Sequence, residues 1–260
     1  MGKPGLRITF TVLIIAILGV CLWSASTPRE PSYNGKPISV WLQDSTPYGV
    51  DSPDAIEALR HIGINAIPTL LRMLRANDSP LKTKCIELLD RQDSVRIKII
   101  PARDKNYQAF LGFDSLGADA TNAVAELVAI YAEKISADSQ SYTACAIGAI
   151  GPAAKSAIPT LLMGLKTTND YVRWNTALAL GRIHGEPASV VPELMRLLDN
   201  SNLTTRCFDI QALGEFGTNA ESAVPDLTVM LNDQDPNIRV SATNALKQID
   251  PEAAAKAGVK

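Results

Sequence analysis

The sequence predicts an all-α fold, a right-handed α-α superhelix (solenoid) of helical-hairpin repeats preceded by an N-terminal apolar helix. Three observations predict it. The triplets Ala146-Ile147-Gly148, Ala179-Leu180-Gly181 and Ala212-Leu213-Gly214 recur every 33 residues, and Ala245-Leu246-Lys247 continues the step. Three further series keep the same register: Pro159, Pro192 and Pro225; Ser156, Ser189 and Ser222; Arg173, Arg206 and Arg239. Aromatic residues are only 5% of the chain, and Ala and Leu dominate the periodic part, which favours closely packed helices over a sandwich or barrel. A fixed period of this size marks units that bury their apolar faces only by stacking on one another.

The chain begins with Lys3 and Arg7, followed by the apolar run Ile8 to Trp23. As a helix this run spans about 24 Å, somewhat short of the roughly 30 Å hydrocarbon core of a bilayer. Three readings compete for residues 1–26: a retained membrane anchor, a signal cleaved near Ser24-Ala25-Ser26, and lipidation at Cys21. Each places the remainder in the cell envelope, facing the periplasm or exterior, because flanking positive charge stays inside.

Residues 27–36 read as a linker, with Pro28, Pro31 and Gly35 opposing helix. Residues 37–51 read as a capping helix and loop. Ile38, Trp41 and Leu42 fall on one helical face, as a plug over the open end of a stack requires. The solenoid is assigned to residues 52–250 and a tail to 251–260. Ser52-Pro53 starts its first helix with a favoured cap and a proline at a position whose N–H needs no partner, and Gly63 stops it.

Each repeat then has two helix starts. Asn65, Asn122, Ser156, Ser189 and Ser222 stand as caps for the first helix, with proline in its opening turn except where Ala125 replaces it. Asn169, Asn202 and Asp235 stand as caps for the second. Pro80 follows Ser79 as Pro236 follows Asp235, so 80–92 reads as a second helix too. Small Ala residues mark the helix crossings, and Gly181 and Gly214 are expected to loosen the final turn.

Asn169, Val172, Arg173, Ala177, Leu180 and Gly181, followed by the Ser222 to Leu227 type of segment, resemble the HEAT repeat family and its armadillo-like relatives. The resemblance covers Ser52 to about Asp250 with one interruption, and Tyr33 to Leu42 is similar to the leader-proximal segment of exported bacterial HEAT proteins. It implies a superhelix and an interaction surface. It also implies that Arg173, Arg206 and Arg239 form a structural ladder by bonding the cap of a neighbouring repeat. The alternative use of that series is a row of positive charge for an acidic partner.

The interruption is visible as spacing. Gly63 and the corresponding Gly117 are 54 residues apart instead of 33. Residues 93–105 hold Val95, Ile97 and Ile99 alternating with Arg96 and Lys98, a strand period. The run from Arg91 to Lys105 has a net charge of +3. Helix resumes at Asn106. An insert leaves a solenoid by one edge, and this one reads either as cover for a repeat junction or as a partner-binding element.

Little in the sequence supports catalysis. His61 and His184 lie in different repeats, and the His-Glu pair of the HEAT-type hydroxylases has no counterpart. No glycine-rich phosphate loop, nucleophile elbow or calcium loop occurs. Beyond the leader, 23 basic residues face 27 acidic ones, without the basic excess of a nucleic-acid binder. Cys85, Cys145 and Cys207 lack metal spacing and read as buried small residues, with one disulfide plus one free thiol as the alternative. The expected function is a non-enzymatic protein–protein interaction scaffold without cofactor or nucleic acid, binding a partner protein on its curved surface or the insert. The residues chosen for that surface are Arg96, Lys98, Arg103, Tyr107, Arg173, Trp174, Arg206 and Arg239. The alternatives are a HEAT-type lyase or chaperone-like lyase subunit and, less favoured, a HEAT-like nucleic-acid binder.

Overall fold

The computed structural model describes residues 30–44, 52–90, 99–200 and 202–258. The apolar leader lies outside the described residues, and so do Arg96, Lys98 and the strand-like alternation around them. The chain forms an all-α solenoid in which two layers of helices alternate along the sequence.

The proposed linker is structured at its end. Ser32–Tyr33 (β1) pairs antiparallel with Lys36–Pro37 (β2). Asn34 and Gly35 make the turn at φ 49° and 73°, as a two-residue hairpin of this hand requires. Ile38–Trp41 (α1) follows and buries Ile38, with Leu42 fully enclosed beside it. The Trp41 indole donates to the Tyr33 carbonyl at 3.1 Å, and the Lys36 ammonium lies 4.1 Å from its ring centre. Residues 32–42 thus form one small lid against Pro53–Ile62 (α2).

The first-layer helices are Ile67–Leu74 (α3), Val124–Glu133 (α6), Ile158–Gly164 (α8), Pro187–Met195 (α10) and Val224–Met230 (α12). The second layer is Ala102–Leu116 (α5), Ala137–Ile150 (α7), Asp170–Ile183 (α9), Leu203–Glu215 (α11) and Pro236–Ile249 (α13). Pro251–Lys256 (α14) closes the far end. Second helices pack directly on one another, whereas consecutive first helices meet mainly through 3-10 turns such as Gly151–Ala157. The second-helix layer is thus the more closely packed of the two.

The second-helix caps behave as their residue types require. Asn169 accepts from the Val172 N–H at 3.1 Å, Asn202 from Thr205 at 3.1 Å, and Asp235 from Asn237 at 2.8 Å. The first-helix caps do not. Asn65, Asn122, Ser156 and Ser222 sit inside 3-10 turns that run straight into the helix, whose entry residue has helical φ/ψ and no side-chain cap. Ser189 lies within α10 and donates to the Glu186 carbonyl. The turn already supplies the backbone acceptors that a cap would provide. A positive φ ends each second helix up to α11, on Gly117, Gly151, His184 or Gly217, and Gly63 ends α2 the same way.

The glycines of the repeated triplet do not loosen a helix end. A Cβ on Gly148 would lie 2.8 Å from the Ala179 Cα, one on Gly181 3.1 Å from the Ala212 Cα, and one on Gly214 3.1 Å from the Ala245 Cα. The triplet is therefore a contact code in which the glycine of one second helix receives the alanine of the next. Gly148→Ala gains about 1 kcal/mol in helix propensity but forces two backbones apart, and overpacking costs about 1–3 kcal/mol. A lowered unfolding midpoint is expected by calorimetry, and a raised one would show slack at this crossing.

The insert is larger than its strand-like core. The second helix of its repeat is α5, packed between α3 and α7, so the helix Pro80–Asp90 (α4) is itself the excess. Leu81 and Leu88 on α4 are 74% and 58% exposed. α5 also begins earlier than expected, at Ala102 after Pro101, so residues 102–105 are its first turn and not insert. The two ends of the excursion meet at Asp78. Its carboxylate accepts the Ala102 N–H at 2.8 Å and pairs with Lys82, which donates to the Ile100 carbonyl at 3.3 Å.

Candidate functional site

Six aromatic side chains form one row across four second helices: Tyr107 and Phe110 on α5, Tyr142 on α7, Tyr171 and Trp174 on α9, and Phe208 on α11. All six are half-buried. Ring centres are 5.6 Å apart from Tyr107 to Tyr142, 6.1 Å from Tyr142 to Tyr171, 5.4 Å from Tyr171 to Trp174 and 5.2 Å from Trp174 to Phe208. The first three contacts are edge-to-face, the favourable geometry for ring quadrupoles. The chain spends six of the eleven aromatic residues among those described on this one row.

A pocket of about 230 Å³ opens beside the row, lined by Phe110, Tyr142, Cys145, Asn175, Leu178 and Arg182, with Ala179 at its base. The Cys145 thiol donates to the Asn175 side-chain oxygen at 3.1 Å, and desolvation pushes its pKa up to about 12, so it is a poor nucleophile. Cys145 and Cys207 are both free. Burial raises the Tyr171 pKa first, and neighbouring Tyr142 raises it further. Among the described residues no group of three His, Cys, Asp or Glu side chains is placed to hold a metal ion.

The residues selected from sequence divide sharply. Tyr107 and Trp174 belong to the aromatic row. Arg103, in the first turn of α5, is 3.8 Å from Asp138 and beside the Tyr142 hydroxyl, a contact that raises its pKa. Arg96 and Lys98 lie outside the described residues. Two of the three periodic arginines close the loops of their own repeats, and the third pairs across to the next repeat. Arg173 donates to the Thr167 carbonyl at 2.9 Å and pairs with Asp170, and its side chain is 11% exposed. Arg239 donates to the Asp233 and Gln234 carbonyls at 2.8 and 2.9 Å. Arg206 alone reaches the next repeat, 3.6 Å from the Asp233 carboxylate.

The ladder between caps is thus carried differently from the expected arginine-to-cap bond. The Asn202 side-chain amide donates to Asp170 of the preceding repeat at 2.7 Å. Two of the arginines bind the interhelical loop of their own repeat, because the guanidinium one turn into the second helix folds back over the orphan carbonyls there.

The sequence reading missed Phe110, Tyr142, Tyr171 and Phe208. One signal was present: Tyr142 and Phe208 are two periods apart. Asn175 occupies the position between them, while Tyr171 stands one helical turn before it and Trp174 immediately before it, so no single register position reveals the row.

A family model of HEAT repeats matches residues 191–257. No curated protein matches the chain. Among solved structures, one engineered protein is 19% identical, with 85% of this chain and 97% of that chain covered and a TM-score of 0.49. Another engineered protein is 18% identical, with 82% and 98% covered and a TM-score of 0.47. The matched segment spans most of α10 through α14, and its paired helices, loop-closing arginines and glycine-to-alanine contacts recur toward the N-terminus. Residues 191–257 are thus similar to HEAT repeats, and the same all-α repeat architecture continues toward the N-terminus.

Proposed function

We propose that this chain is a non-enzymatic interaction scaffold that takes an extended protein partner along the face formed by its second helices. The row from Tyr107 to Phe208 carries the reading. Half-exposed aromatic side chains aligned across four repeats offer rigid contact area at low entropic cost, the composition of binding hot spots. The long continuous face of a solenoid suits an extended ligand. Placement in the cell envelope, through the N-terminal apolar segment, is part of the same proposal and rests on Ile8 to Trp23 preceded by Lys3 and Arg7.

Crosslinked capture from the native envelope, using the full chain, tests it. Trp174→Ala is expected to lose the captured partner while its unfolding midpoint stays within a few degrees of the parent. A truncated hot spot of this kind costs about 2 kcal/mol or more in binding. Undiminished capture by a folded Trp174→Ala chain would sink the reading.

A further inference from the structure

Resting on that reading, we propose that the joint between α9 and α11 is a pH-operated gate on the aromatic row. With Asp209 protonated, the two helices close and hold Trp174 against Phe208. Ionisation of Asp209 opens the joint and parts the two rings.

The row and the buried acid meet at one crossing. Trp174 follows Arg173 on α9, Phe208 precedes Asp209 on α11, and the two ring centres are 5.2 Å apart. The rings are half-buried, whereas their sequence neighbours turn inward. Asp209 has no exposed surface, and the Arg173 side chain is 11% exposed. Seven buried side-chain atoms lack a hydrogen-bond partner among the described residues, and five belong to these two helices: Arg173 Nε, Thr205 Oγ1, Arg206 Nε and both Asp209 oxygens. Thr143, Thr176 and Ala242 hold the position of Asp209 in neighbouring repeats, so of these four positions only 209 can ionise.

A carboxyl enclosed in this way is held neutral, because a carboxylate cut off from water and donors loses its hydration uncompensated. Arg173 is the charge that acts on it, against a desolvation that raises its pKa to about 8. The other charges on the elements packed against α11 are engaged or exposed. Arg206 faces Asp233, Arg239 on α13 holds the Asp233 and Gln234 carbonyls, and Glu193 on α10 pairs with Arg196. His184 and Glu215 pair at the helix ends, and Glu221 and Lys247 are exposed. Arg173 itself is pinned by the Thr167 carbonyl and Asp170. Its guanidinium therefore cannot follow the carboxylate, and ionisation is relieved by water entering between the helices. Those helices touch backbone to backbone: a Cβ on Gly181 would lie 3.1 Å from the Ala212 Cα. Water enters only if they separate. Packed interfaces switch between discrete arrangements instead of deforming continuously, and the Trp174–Phe208 contact spans the same gap.

The test is fluorine NMR of the full-length chain carrying 5-fluorotryptophan, titrated from about pH 6 to about pH 9.5 across the range set by burial. Loss of one signal in Trp174→Phe identifies the Trp174 resonance. That resonance is expected to move with a midpoint near 8, and Asp209→Asn, a neutral isostere, should abolish the movement. A Trp174 resonance that is flat in the parent, or that titrates equally in Asp209→Asn, overturns the gate. Crosslinked capture of the partner should fall about tenfold between the two ends of the titration in the parent and hold constant in Asp209→Asn. Capture that depends on Trp174 but is equal at both ends overturns the gate and leaves the scaffold reading standing. A Trp174 resonance that titrates through Asp209, with capture unaffected by Trp174→Ala, overturns the scaffold reading and leaves the opening of the joint standing.

Discussion

Replacing Asp209 by threonine should make the protein more stable, not less. Asp209 lies on α11 with no exposed surface, and neither carboxylate oxygen has a hydrogen-bond partner among the described residues. Burial pushes its pKa up to about 8, and Arg173 pulls it only part of the way back. Thr143 and Thr176 hold the same position in the two preceding repeats. Each donates its hydroxyl to the carbonyl four residues earlier, at 2.6 and 2.7 Å. Threonine at 209 can repeat that bond to the Thr205 carbonyl and brings no charge.

The pH dependence has a definite sign. The unfolded chain ionises Asp209 near 3.8, whereas the folded chain holds its proton to about 8. Between those values the folded state binds more protons, so the contribution of Asp209 to stability falls as pH rises from about 4 to about 8 and then levels. A rise from 3.8 to about 8 corresponds to roughly 5–6 kcal/mol across the window. Asp209→Thr should remove this slope and raise the unfolding midpoint most at pH 8. An unchanged midpoint at pH 8 would mean that the carboxylate is paired in solution.

Leu213→Ala should cost about 2–5 kcal/mol. Leu213 is fully enclosed, at the position that Ile147, Leu180 and Leu246 fill in neighbouring repeats, all with no exposed surface. The truncation leaves a void between α11 and the helices packed on it. Because each repeat contacts only its neighbours, the damage should propagate first into α12 and α13. Hydrogen exchange is expected to show faster opening there than in α5 and α6. Uniform loss of protection along the chain would indicate a more cooperative molecule than a stack of repeats.

The parts of this fold legible in sequence are those fixed by local chemistry. Asn169, Asn202 and Asp235 were readable as caps because a second helix begins abruptly from a loop. The same residue types misled at Asn65, Ser156 and Ser222, because a 3-10 turn feeds those helices and leaves no cap to be made. Pro80 misled for a related reason. Ser79-Pro80 announces a helix start correctly, but nothing local says which layer a helix joins, and α4 belongs to the excursion. The triplet glycines were visible while their purpose was not, since the Gly148–Ala179 contact exists only after stacking.

The candidate site was partly legible for the same reason. Trp174 and Tyr107 were selected as partner-facing, and they lie in the row. Arg173 and Arg206 were selected on their periodicity, and periodicity in a repeat protein marks what stacking demands: Arg173 closes its own loop and Arg206 pairs with Asp233 of the next repeat. The row itself arises from lateral packing of rings that occupy different register positions. Asp209 also escaped notice, because its cost appears only against the threonines that stand one and two repeats before it.

Site-specific photocrosslinking in cells tests the central claim most directly. A photoreactive side chain placed at 174, at 208, or at exposed Met163 or Val229 in the first layer compares the two faces of the stack in one folded chain. The account predicts a discrete protein adduct from 174 and 208 and none from 163 or 229. Adducts from 163 and 229 with none from 174 would place the partner on the first-layer face and contradict it.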